Sequence, residues 1–138
     1  MTHARTIVRI GLALIMAGAG LFHFVNPRPY VEHLPAIVPL RGELIALTGA
    51  MELVLAAGLV GPPRWRRPAA LALAAYLVLV FPANIYAAVS QAPIDGVPTG
   101  WVRWARLPLQ LPLIAAAWWI ATTRPSRRGR PTPPSARR

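Results

Sequence analysis

The sequence predicts an all-α protein, an integral membrane four-helix bundle with both termini cytoplasmic. Composition, the length of the apolar runs and the placement of arginine carry that reading. The 138-residue chain is 55% hydrophobic and only 14% charged, with mean hydropathy +0.45, too apolar for an ordinary soluble domain. Four apolar runs each cover about 25 to 30 Å as helix, which matches a bilayer's hydrocarbon core. The net charge of +11 comes from fifteen arginines against four acids. These arginines lie between and after the apolar runs, as membrane topology requires, so specific nucleic-acid recognition is not expected. With no cysteine, a disulfide, thiolate metal site or dithiol relay within this chain is excluded.

The first span is read over residues 7–25, "IVRIGLALIMAGAGLFHFV". A basic start and small residues also fit a cleaved signal peptide, but the apolar pattern continues through Phe22 and Phe24, beyond the usual length of such a segment. The second span covers 43–60, the third 69–88 ("AALALAAYLVLVFPANIYAA") and the fourth about 107–123 ("LPLQLPLIAAAWWIATT"). Proline separates them: "NPRPYVEHLPAIVPLRG" has four, "GPPRWRRP" three and "SQAPIDGVPTG" two, each opposing helix continuation. The first of these loops has room for a short surface helix with Tyr30 as its anchor. Residues 1–123 thus form the transmembrane domain. Residues 124–138 form an Arg/Pro-rich tail that buries no core, is expected to be disordered, and meets anionic lipid headgroups.

Arginine sets the orientation. Arg5, Arg9, Arg64, Arg66, Arg67 and six in the tail fall on one side of the bilayer, and Arg28, Arg41, Arg103 and Arg106 on the other. The positive-inside rule places both termini in the cytoplasm of a multi-pass inner (plasma) membrane protein.

Within this frame Glu52 stands out, an acid in the middle of "GAMELVLAAG". If its helix enters at Glu43, it lies about 14 Å below the outer surface. Facing lipid as an ion would cost several kcal/mol, so it is expected to face the bundle interior, protonated or paired. Thr48, Gly49 and Ala56 lie above and below it on one face and let another helix approach. His23 follows Ala19 and Gly20 on its own helix in the same way, but nearer the surface, where a link to Arg106 or the first loop is expected in preference to Glu52. Asn84 and Gln110 come to about 6 Å from the outer surface, and Arg103, Arg106 and Gln110 share a helix face. Pro82 removes a backbone bond and leaves the Val78 carbonyl in need of a donor. A direct Glu52–Arg106 contact has about 14 Å of depth to close and calls for Gln110, Asn84 or water between them. Glu32 and His33, adjacent in sequence, diverge on a helix and do not suggest a metal site.

The order "GLFHFVNPRPYVEHLPAIVP", "TGAMELVLAAGL", "VFPANIYAA", "WVRWARLPLQLPLI" resembles the DoxX-like proteins, small bacterial four-helix membrane proteins. The resemblance runs from Gly18 to Trp119. It implies a four-helix bundle and marks His23, Pro27, Tyr30, Pro35, Glu52, Pro82, Asn84, Arg106, Pro108 and Gln110 as motif positions. Some relatives are named as membrane subunits of thiosulfate:quinone oxidoreductases, and others are linked to oxidative-stress redox complexes.

Two functions follow as expectations. In the first, a polar pocket in the outer half binds a quinone or similar lipid-soluble ligand. Asn84, Arg106, Gln110 or a protonated Glu52 donates hydrogen bonds to its carbonyls, Tyr30, Tyr86 and Trp104 contact it, and Glu52 and His23 act as the proton-bearing catalytic pair. The sequence has no flavin or nucleotide fingerprint, so a redox partner protein or the substrate supplies the electrons. In the second, the chain is a non-enzymatic structural or assembly component, its polar residues specifying helix packing and its tryptophans anchoring the membrane interfaces.

Overall fold

The computed structural model describes residues 3–90 and 100–122, and every regular element among them is an α-helix: α1 (His3–Val25), α2 (Arg28–Glu32), α3 (Arg41–Val60), α4 (Pro63–Ser90) and α5 (Trp101–Thr122). Helices α1, α3 and α4 are long and apolar enough to cross a membrane, whereas α5, with Arg103, Arg106 and Gln110 in its first half, is not among them. The expected tail and most of "SQAPIDGVPTG" lie outside the described residues.

Proline interrupts the helices less than the sequence suggests. Helix α4 begins at Pro63, where a helix needs no N–H and the fixed φ of proline suits the first turn, so the link from α3 is only Gly61 and Pro62. Pro68 lies within α4 on an exposed turn, where an unbonded carbonyl costs least. Pro108 and Pro112 are likewise absorbed in α5, which takes in "WVRWAR" and so starts before the apolar run. The short helix α2 sits in the first loop, and the chain enters α3 through Leu40 in the left-handed conformation (φ 51°, ψ 39°), which costs a branched residue about 1–2 kcal/mol.

The four long helices close a ring, α1 against α3 and α5, α4 against α3 and α5. Their shared interior holds Leu12, Met16, Leu55, Leu59, Leu73 and Leu77 among small alanines, while large apolar side chains such as Leu14, Val54 and Val78 point outward, as a lipid-facing surface requires. Small residues set the closest crossing: a Cβ added at Gly20 would stand 2.8 Å from the Gly49 carbonyl oxygen, and one added at Gly49 would stand 2.7 Å from His23 Cβ. That contact draws the backbones of α1 and α3 together at the level of Glu52.

One end of the ring is fastened by arginine. Arg5 Nη2 donates to the Ile120 carbonyl at 2.9 Å, Arg67 Nε to Ala121 at 3.2 Å, Arg66 Nε to Gly61 at 2.9 Å, and Arg9 Nη1 to Leu59. These carbonyls sit at the C-terminal ends of α3 and α5, where a helix leaves acceptors unused and carries partial negative charge. Residues expected only to orient the chain also close the helix ends.

Candidate functional site

At the opposite end a cavity of about 590 Å³ opens between the helices, a size suited to a small organic ligand. Each long helix contributes one stripe at helical spacing. Ile15, Ala19 and His23 come from α1, and Ile45, Thr48 and Glu52 from α3. Tyr76, Val80 and Asn84 come from α4, and Arg106, Gln110 and Leu113 from α5. The walls are mostly aliphatic, with polar groups at a few points.

Glu52 faces the interior, 7% exposed. Its Oε1 accepts a hydrogen bond from the Tyr76 hydroxyl at 2.8 Å; its Oε2 is buried without a hydrogen-bond partner. His23 Nδ1 stands 3.3 Å from Oε2 but only 2.7 Å from the Ala19 carbonyl oxygen. A carbonyl only accepts, so Nδ1 carries the hydrogen and gives it mainly to Ala19. This corrects the expected position of His23: it is beside Glu52, not apart from it. The Gly20–Gly49 contact is the reason, because it brings His23 against α3 at Gly49, one turn from Glu52. The link to the first loop is also present, as the imidazole stacks on the Tyr30 ring with centroids 3.8 Å apart.

Tyr30 and His33 form the rim. Burial raises the Tyr30 hydroxyl above its usual pKa, with Glu52 adding to the effect and Arg106 opposing it. His33 is held below the ordinary imidazole value chiefly by burial, partly offset by its hydrogen bond to the Pro29 carbonyl, with Arg106 and Arg103 pushing it further down. That hydrogen bond uses Nδ1, so the neutral ring keeps Nε2 as an acceptor, and Arg106 Nη1 approaches it at 3.5 Å. Arg106 therefore meets His33 rather than Glu52. Arg103, which shares its helix face, is 1% exposed and lies outside the cavity lining.

Gln110 and Asn84 bind each other. Gln110 Nε2 donates to the Leu77 carbonyl, and Asn84 Nδ2 donates to Gln110 Oε1 at 2.8 Å. The carbonyl served is that of Leu77, not of Val78 as expected from Pro82. Val78, whose carbonyl Pro82 deprives of its N–H, is turned outward and lies outside the cavity lining, whereas Leu77 is buried and lines it, within reach of Gln110.

Tyr86 and Trp104 do not line the cavity; they are 41% and 50% exposed. Each lies two residues from a lining residue, Asn84 or Arg106, so the helix carries it about 200° round to the outer surface. Sequence reasoning missed Tyr76, 5% exposed and bonded to Glu52. The available signal was its position two turns before Asn84, on the same stripe as Val80.

The arrangement brings a carboxyl group, an imidazole and two tyrosines within reach of one another in the wall of an otherwise aliphatic cavity. Fold and cavity together define an all-helical protein, with three helices long and apolar enough to cross a membrane and a ligand-sized, mostly aliphatic cavity between its helices. The chain belongs to the family described as a domain of unknown function (DUF8561), which matches residues 12–121 and so includes every cavity-lining residue. No curated protein and no solved structure matches it.

Proposed function

We propose that this is a DoxX-like, four-span inner-membrane protein, both termini cytoplasmic, whose cavity binds a quinone or similar lipid-soluble ligand as part of a membrane redox system. The observation that carries the reading is the buried carboxyl group of Glu52 in the wall of an otherwise aliphatic cavity. Burying such a group is expensive, and in a membrane the expense is characteristically tied to a ligand or a proton. Helix α5 completes the membrane domain as the fourth span, its arginines at the outer rim. Electrons come from a partner protein, and Glu52 and His23 carry protons to and from the bound ring.

A structural or assembly role is favoured by one feature, the use of Asn84 and Gln110 on each other and on Leu77, which ties α4 to α5 without any ligand. The two readings separate experimentally. The protein is extracted into native lipid discs, and the accompanying lipids, quinones and proteins are identified by mass spectrometry, for wild type and Glu52→Gln. Enrichment of quinone over the bulk membrane, lost in a Glu52→Gln protein of normal abundance, supports the ligand reading. No enrichment of quinone and no redox partner rejects it.

A further inference from the structure

The seam between α1 and α5 is sealed toward one end of the bundle and open toward the other. Arg5, which reaches Ile120 on α5, begins a stripe that recurs along α1 through Val8, Leu12, Ile15 and Ala19. On α5 the matching stripe runs back from Ile120 through Leu113 to Leu109. At the arginine end both are covered, with Leu12 3% and Ile120 6% exposed. One turn beyond Leu12, Ile15 lines the cavity yet is 49% exposed, and Leu109, which also lines it, is 62% exposed. A side chain that borders both the cavity and the outside marks an opening. Above this opening α2 bridges the two helices at the rim, where Tyr30 stacks on His23 and His33 meets Arg106. Ile15 is near the middle of the 23-residue α1, which is hydrocarbon depth for a helix that crosses a bilayer. The opening therefore faces sideways. Leu44 on α3 and Leu79 on α4 are exposed lining residues too, but their seam is crossed at mid-height by the Tyr76–Glu52 hydrogen bond and closed where Gly58 meets Ala69.

We infer that the cavity is entered from within the membrane, through a window between α1 and α5 framed by Ile15 and Leu109. Its ligand is a tailed amphiphile, whose head group lodges among the polar groups of the cavity while its hydrocarbon chain lies in the window. The inference rests on the lipid-soluble ligand reading above and specifies the ligand's shape and its route. Both frame residues are aliphatic, so a chain passing between them meets no polar group that it would strip of water. A route over the rim would draw the same chain past Arg106 and His33 and into water, which the hydrophobic effect opposes along its whole length. The window lets the head group enter while the tail stays in hydrocarbon.

The test measures decylquinone binding to the protein in lipid discs, with empty discs as the blank. Ile15→Trp and Leu109→Trp together fill the window from exposed positions; Leu14→Trp, on the outer face of α1 at 69% exposed, is the control. The double variant is expected to bind about tenfold more weakly than wild type, because chain and indole cannot share the space. The control should bind like wild type. A second measurement needs no variant: decylquinone carrying a diazirine at the end of its tail is photolysed on wild type, with and without excess decylquinone, and the labelled residues are identified by mass spectrometry. Labelling that the excess removes is expected around Ile15 and Leu109. Equal affinity in the double variant and the control, or removable labelling confined to the rim or to Leu44 and Leu79, overturns the inference and leaves the ligand reading standing. No binding of decylquinone to wild type above the blank overturns both. The labelling pattern decides the matter even if the double variant does not fold.

Discussion

Tyr76 on α4 donates its hydroxyl hydrogen to Oε1 of Glu52 on α3, 2.8 Å away, with both side chains buried. The pair joins two helices at the floor of the cavity and is the one direct hydrogen bond that Glu52 makes among the described residues. Tyr76→Phe preserves the ring and deprives the carboxyl group of that donor. The expected cost is about 1–3 kcal/mol of stability, seen as a lower thermal midpoint in detergent.

Gly49 makes a second prediction. A methyl group there meets His23 Cβ at 2.7 Å and the Gly20 carbonyl at 3.1 Å, so α1 and α3 must separate. Gly49→Ala should lose about 1–3 kcal/mol and should pull His23 away from Glu52. Gly18→Ala, with nothing within 4 Å of the added methyl, serves as the control and should melt at or slightly above the wild-type temperature, since alanine favours the helix. Equal behaviour of the two variants would contradict the close crossing.

The rim has a pH dependence with a definite sign. The folded environment holds His33 below its ordinary value of 6.5, so the unfolded chain takes up a proton first as pH falls. The stability linked to His33 is therefore full above about pH 6.5 and is lost as pH drops through the lowered folded value. Protonation also removes the Nε2 acceptor that faces Arg106 and sets two cations together. Amide protection factors in α2, corrected for the slower intrinsic exchange at low pH, should fall between pH 7 and pH 5, and His33→Gln should flatten that response.

Orientation is open to a clean labelling experiment, because the chain contains no cysteine. With both termini inside, a membrane-impermeant thiol reagent should reach Ser90→Cys, the last residue of α4, in intact cells. It should reach Ser135→Cys only after the membrane is opened. The reverse pattern would invert the proposed topology and place the cavity on the cytoplasmic side.

The apolar runs and their period made the long helices legible, because a bilayer dictates both length and composition. Their ends were less so: Pro63 and Pro68 look like breaks in a sequence but are accommodated in the first turn and on an exposed turn of α4. Within the site, Glu52 was legible as a lone acid in an apolar span. Tyr76 was passed over, since an uncharged side chain in an apolar span draws no notice unless its place on the stripe of Val80 and Asn84 is followed. The Glu52–His23 contact depends on how closely α1 and α3 cross, a distance set by paired glycines on two different helices, and depth counted along single helices cannot yield it. Tyr86 and Trp104 were misplaced for the related reason that aromatic character says nothing about azimuth.

The guanidinium groups of Arg5, Arg9, Arg66 and Arg67 end on carbonyls at the C-terminal ends of α3 and α5, so the charges proposed as a sorting signal during insertion are mechanical fasteners of the finished bundle. A chain inserted upside down would have to carry the same latches across to the far leaflet. Attempts to flip the protein by moving these charges would loosen the bundle as well, coupling correct insertion to durable assembly.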